Sequence, residues 1–140
     1  MKAVIGSLVA AVGGWAACVL AWGGFGLAVS IADGFSGLGV AAILLGAVAL
    51  YCGVGVLAAW AAVVVWLYLF LPATSALWRP LVAAITGAIT GPAFLLVIVL
   101  LIARRIPLDA ALLIFVASAA WTGVWVGLIG AWTVRFFRKP

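Results

Sequence analysis

Apolar runs broken by turn-forming and charged residues divide the chain into four long segments. The first runs from about Val4 to Ile31 and stops at Asp33-Gly34, with Ser36, Gly37 and Gly39 completing a turn-rich connection. The second runs from about Val40 to Leu71 and stops at Pro72, which has no amide proton to donate and steers the residue before it away from helical geometry. As a helix its ~32 residues reach ~48 Å, more than a hydrocarbon core, so tilt or protrusion is expected. The third covers Leu81 to Ala103 behind Pro80, a first-turn proline whose missing amide would have been unpaired in any case. Pro92 falls near its middle and is expected to kink it, with Thr90 or a neighbouring helix serving the freed carbonyl. The fourth covers about Leu108 to Trp132 and opens with Pro107 and Asp109, both suited to a helix N-terminus.

Each segment is long enough to cross the ~30 Å of a bilayer core, which takes ~20 residues. The expected fold is an all-α integral membrane protein: a four-helix transmembrane bundle of two helical hairpins, with TM helices at about 4–31, 40–71, 81–103 and 108–132. Residues 1–140 then form a single membrane domain. A removable signal peptide does not fit the first segment, which continues far beyond the ~7–15 apolar residues of a signal core. Nor is Trp15-Ala16-Ala17 before Cys18 a good lipoprotein cleavage sequence. No internal repeat is visible, so an inverted-repeat transporter architecture is not expected.

Composition excludes a water-soluble domain. Residues 34–78 contain no charged side chain, and the chain is 71% hydrophobic and 6% charged, against roughly 45–50% and 25% in soluble domains. Mean hydropathy is +1.53. The net charge of +5 comes from Lys2, Arg79, Arg104, Arg105, Arg135, Arg138 and Lys139 against Asp33 and Asp109, all at segment ends. These cations read as topology signals, with Arg79, Arg104, Arg105, Arg135, Arg138 and Lys139 at lipid headgroups; nucleic acid is not an expected partner. Four crossings gather Lys2, Arg79, Arg135, Arg138 and Lys139 on one side and Arg104 and Arg105 on the other. Both termini of a multi-pass protein of the plasma (inner) membrane are therefore expected to be cytoplasmic.

The chain contains no Glu, His, Asn or Gln. Ion and proton pathways need an ionisable group at depth, and the segments offer none. Without His or intramembrane carboxylates no cofactor or metal is expected to be ligated, although contact with a bound lipid or pigment stays open. Ser7, Ser30, Thr86, Thr90, Ser118, Thr122 and Tyr51 have no base beside them, so no catalytic residue is assigned and the protein is read as a non-enzyme. The hydroxyls are expected to bond their own helices one turn back. Cys18 and Cys52 fall at similar depth; a bridge is conceivable, but both read first as small apolar residues.

Small and large residues separate by face. In the first segment Gly6, Ala10, Gly13, Ala17 and Gly24 share a sector opposite Trp15 and Trp22; in the fourth, Ala119, Gly123, Gly127 and Gly130 oppose Trp121, Trp125 and Trp132. Gly87 and Gly91 add a third small surface. Such faces let helices approach closely where lipid is as apolar as leucine, so these glycines are the candidate helix-packing residues. Trp15, Trp22, Trp121, Trp125 and Trp132 are then the candidate partner- or lipid-facing residues. The function expected is that of a non-catalytic accessory or structural transmembrane subunit of a larger membrane complex, bound through Trp-rich helix faces. The alternative is a small homo-oligomeric channel, exporter or lipid-handling protein. Partners are accordingly membrane lipids and either larger subunits or further copies.

Overall fold

A computed structural model of the protein describes residues 2–35, 37–103 and 110–137. Among these residues it is helical without strands: α1 (Lys2–Ala32), α2 (Leu38–Ala59), α3 (Val65–Phe70), α4 (Pro80–Ala103) and α5 (Ala110–Phe137). A single π turn, Trp60–Val64, joins α2 to α3 into one rod, so four helices are long and apolar enough to cross a membrane. The fourth runs to Phe137, five residues past the expected end, because Arg135 suits the C-terminal end of the helix dipole and does not stop it. Ser36, Arg104, Arg105, Pro107, Asp109, Arg138 and Lys139 lie outside the described residues.

The connection after α1 is a Schellman turn. Gly34 takes a left-handed conformation (φ 63°), its N–H donates to the Ile31 carbonyl (3.2 Å), and the Phe35 N–H donates to the Ser30 carbonyl (2.7 Å). Phe35 itself has φ 64°, a strained value for a residue with a Cβ. At the other end of α2–α3, Leu71 before Pro72 is extended (ψ 131°), and a short 3₁₀ turn (Ala76–Trp78) leads into Pro80. Pro92 sits inside α4. The Thr90 hydroxyl reaches the Gly87 carbonyl (3.5 Å), one residue before the Ala88 carbonyl that Pro92 leaves without its usual donor.

Helix packing follows the order α2–α1–α5–α4: α1 lies along both α2 and α5, and α4 lies along α5. The outer helices are correspondingly thin in buried residues, α4 contributing Ala83 and the described side chains of α2 none. At the end bearing both termini, α3 and the 3₁₀ turn close the row over α1 and α5, where Ala10, Tyr68 and Val134 form a small core flanked by Val64, Trp78 and Ile129. Lys2, Arg79 and Arg135 lie at this end and Asp33 at the opposite one, as the up-and-down course of the helices dictates.

Candidate functional site

The α4–α5 seam is made of backbone. A methyl group built on Gly87 would strike the Gly123 carbonyl, and one on Gly123 would strike that of Gly87. Gly91 stands in the same relation to the Ala119 carbonyl and Gly127 to that of Ala83. Removing four side chains brings the two helix axes together and replaces lipid contact with a continuous line of van der Waals contact. At the α1–α5 seam the small residues are met by branched side chains: Gly13 by Ile129, Gly14 by Val126 and the Thr122 carbonyl. A methyl group built on Gly130 would lie 3.1 Å from the Tyr68 hydroxyl and in contact with Trp78.

Two expectations for α1 need correction. Gly24 has nothing within 4 Å of its added Cβ, so it is not a packing position. The buried residues are Gly6, Ser7, Ala10, Ala11, Gly14, Cys18 and, near the far end, Ser30; Gly6 and Ala10 belong to the sector inferred from glycine spacing, but the stripe from Gly6 to Cys18 is centred roughly 70° away from it at ~100° per residue. The physical reason is that α1 has two neighbours, so its buried centre falls between the small sector touching α5 and the side from which Trp15 reaches α2.

For the same reason Trp15, Trp22 and Trp125 are not an outward ridge. The Trp15 indole donates across the α1–α2 seam to the Ala49 carbonyl (2.9 Å) and lies over Gly53, where a methyl group built on the glycine would come within 3.2 Å of the indole nitrogen. Trp22 donates to the Ser118 hydroxyl (3.0 Å), which donates on to the Ile114 carbonyl (2.8 Å). Trp60 repeats the device, donating to the Ser7 hydroxyl (3.0 Å), which donates to Val4 (2.8 Å). A serine can do both because its oxygen accepts while its proton leaves for the backbone. Trp125 is half-buried against the edge of Trp121 (centroids 5.9 Å, 71°), and its indole nitrogen is buried with no acceptor. Trp121 is 47% exposed and makes a long contact to the Ala17 carbonyl (3.5 Å). Trp132 is 60% exposed and stacks on Phe136 (5.5 Å).

Three features were not singled out from sequence. The Tyr68 hydroxyl, fully enclosed, pairs with Thr133 (2.6 Å) and reaches the Gly130 carbonyl (3.0 Å), tying α3 to α5. A tyrosine in an apolar segment must find a polar partner, and that requirement was the available signal. Trp66 stacks on Phe70 (5.8 Å), giving with Trp132 and Phe136 two exposed aromatic pairs at the end that carries Lys2, Arg79 and Arg135. Finally, Trp22 forms a wall of two apolar grooves toward the Asp33 end. One, of about 290 Å³, lies between α1 and α5 against Phe25, Ser118 and Trp121; the other, of about 200 Å³, lies between α1 and α2 against Gly26, Ser30 and Leu45.

Among the described residues no three potential metal-ligating side chains come together. Arg79 and Arg135 are exposed at the helix ends; the remaining cations assigned to headgroups, Arg104, Arg105, Arg138 and Lys139, fall outside the described residues. Comparison with protein-family models, with curated proteins and with solved structures finds no match.

Proposed function

We propose that this chain is a multi-pass inner-membrane protein with cytoplasmic termini that serves a larger membrane complex as a non-catalytic structural subunit. The observation that carries this reading is the placement of charge: Lys2, Asp33, Arg79 and Arg135 stand at helix ends, and the spans between them consist of apolar residues, glycine and hydroxyl groups. Such spans have no group with which to relay a proton, replace an ion's hydration or activate a nucleophile. Most of the buried indole and hydroxyl donors are satisfied inside the chain, which suits a scaffold whose work is to keep its shape. The surface left for association is the outer side of α2 and α4 and the apolar groove beside Trp22 and Trp121, open to a lipid chain or a side chain of a neighbouring subunit.

Gentle solubilisation of the native membrane, followed by mass spectrometry of what co-migrates with the chain, tests the proposal. A fixed set of larger subunits is expected. A pure homo-oligomer would transfer support to the channel or exporter reading, and a solitary monomer would overturn both.

A further inference from the structure

The chain has two cysteines, 34 positions apart, and the fold sets their sulfurs side by side: Cys18 Sγ on α1 lies 3.8 Å from Cys52 Sγ on α2. The match is one of depth as well as direction. Cys18 stands 14 residues before the end of α1 at Ala32, and Cys52 stands 14 residues after the start of α2 at Leu38. Beside the pair, Trp15, one turn before Cys18, donates to the carbonyl of Ala49, one turn before Cys52, and fixes the register of the two antiparallel helices; toward Asp33 the seam opens into the groove beside Gly23 and Gly26. Both thiols are free, and Cys18 is fully enclosed, with the Thr122 hydroxyl of α5 beside it.

We propose that Cys18 and Cys52 are a redox pair that closes to a disulfide and fastens α2 to α1. The sulfurs need to approach from 3.8 Å to about 2.05 Å, within reach of small side-chain rotations. A disulfide suits this depth better than a metal bound by two thiolates. A monovalent soft metal held by two thiolates carries a net negative charge, which no described cation at this depth offsets, whereas the dithiol and the disulfide are both uncharged. The co-reactant is a membrane-permeant hydroperoxide. One sulfur takes the hydroxyl of the O–O bond, giving a sulfenic acid and releasing the alcohol, which keeps that thiol's proton. The second sulfur displaces the sulfenic oxygen, which leaves as water with the second proton, and the S–S bond forms. The two electrons lost by the sulfurs reduce the peroxide. The consequence is mechanical: α2 has no fully buried side chain among those described and is held to α1 by few polar contacts, so one covalent bond at mid-depth determines whether the two helices can part.

The test uses the full chain in native membranes, treated with cumene hydroperoxide, denatured with N-ethylmaleimide and measured by intact mass. The wild type is expected to lose both alkylatable thiols and to recover both after dithiothreitol. Cys18→Ser and Cys52→Ser should form no cross-link within the chain at the same dose. With a protease site placed in the connection between α1 and α2, cut oxidised protein should stay as one species on a non-reducing denaturing gel and part on reduction. Two alkylated thiols after peroxide, irreversible oxygen addition, or cross-linking only between chains would overturn the proposal, and because the first readout needs no variant, a misfolded mutant cannot obscure it.

Discussion

A glycine whose missing side chain faces backbone differs from one facing a flexible side chain, because a carbonyl locked in a helix cannot move aside. Gly123→Ala should therefore destabilise the folded chain by about 1–3 kcal/mol through forced separation of α4 and α5. Gly24→Ala, which meets open space, should be neutral or stabilising by about 0.5–1 kcal/mol through helix propensity. Reversible unfolding in mixed micelles measures both, and a Gly24→Ala loss as large as that of Gly123→Ala would refute the assigned seam. The tryptophans make a second series. Trp15→Phe and Trp22→Phe each delete an interhelical hydrogen bond, whereas Trp125→Phe deletes a buried donor that has no acceptor. Interhelical bonds in membranes average about 0.6 kcal/mol, and an unsatisfied buried donor costs about 1–3 kcal/mol, so Trp125→Phe should be the mildest of the three in the same assay. The glycine faces where α4 and α5 meet were legible from spacing, that of α1 only in part, since Gly24 meets open space; the tendency of Ser7, Ser118 and Thr122 to bond one turn back was legible too. The inward turn of Trp15 and Trp22 was not, because a helical wheel shows which residues oppose each other and not how many neighbours the helix has.

At the level of the element, the π turn at Trp60–Val64 sets which way α3 faces. In an uninterrupted helix Trp60 and Tyr68 would lie about 80° apart; one extra residue in the turn brings them within about 20° of a common face. That alignment lets Trp60 reach Ser7 on α1 while Tyr68 reaches Gly130 and Thr133 on α5. Deleting Ala62 should restore a regular helix while leaving Tyr68 within about 20° of the face of Trp60, because seven α-helical steps reproduce the alignment that the turn achieves with eight. Tyr68→Phe, destabilising by about 0.5–1.5 kcal/mol in the natural chain, should then cost about as much in the deletion background. A Tyr68→Phe cost abolished by the deletion would show that the turn does not align Trp60 and Tyr68 by absorbing one residue. Helix ends were readable because Pro72, Pro80 and Asp33-Gly34 act through local backbone rules, and the observed ends at Phe70, Pro80 and Ala32 lie close to them. The π turn left no such mark. Trp-Ala-Ala-Val-Val is ordinary helical sequence, and only the partners on α1 and α5 give the extra residue a reason.

Across the whole molecule, length and hydropathy specified four helices, while the packing order α2–α1–α5–α4 depended on contacts between residues up to about a hundred positions apart, such as Trp22 with Ser118. Orientation is the property of this scale with the most direct consequence. The described cations Lys2, Arg79 and Arg135 share one end with the exposed pairs Trp66/Phe70 and Trp132/Phe136, and Asp33 marks the other. Cations are retained on the cytoplasmic side during insertion, so in the proposed orientation this end faces the inner surface; the aromatic rings settle at the headgroup level and mark an interface of either side. A reporter active only outside the cytoplasm should therefore work when fused after Gly37 and fail when fused after Pro140. Moving the charge bias should move the topology: Lys2→Gln with Arg79→Gln, combined with Gly37→Lys and Gly39→Lys, should produce a measurable inverted population, with activity appearing at the carboxyl-terminal fusion. Activity there in the natural sequence would reverse the orientation, and activity at both fusion points would mean an even number of crossings between them, so that one of the three long helices after Gly37 does not span.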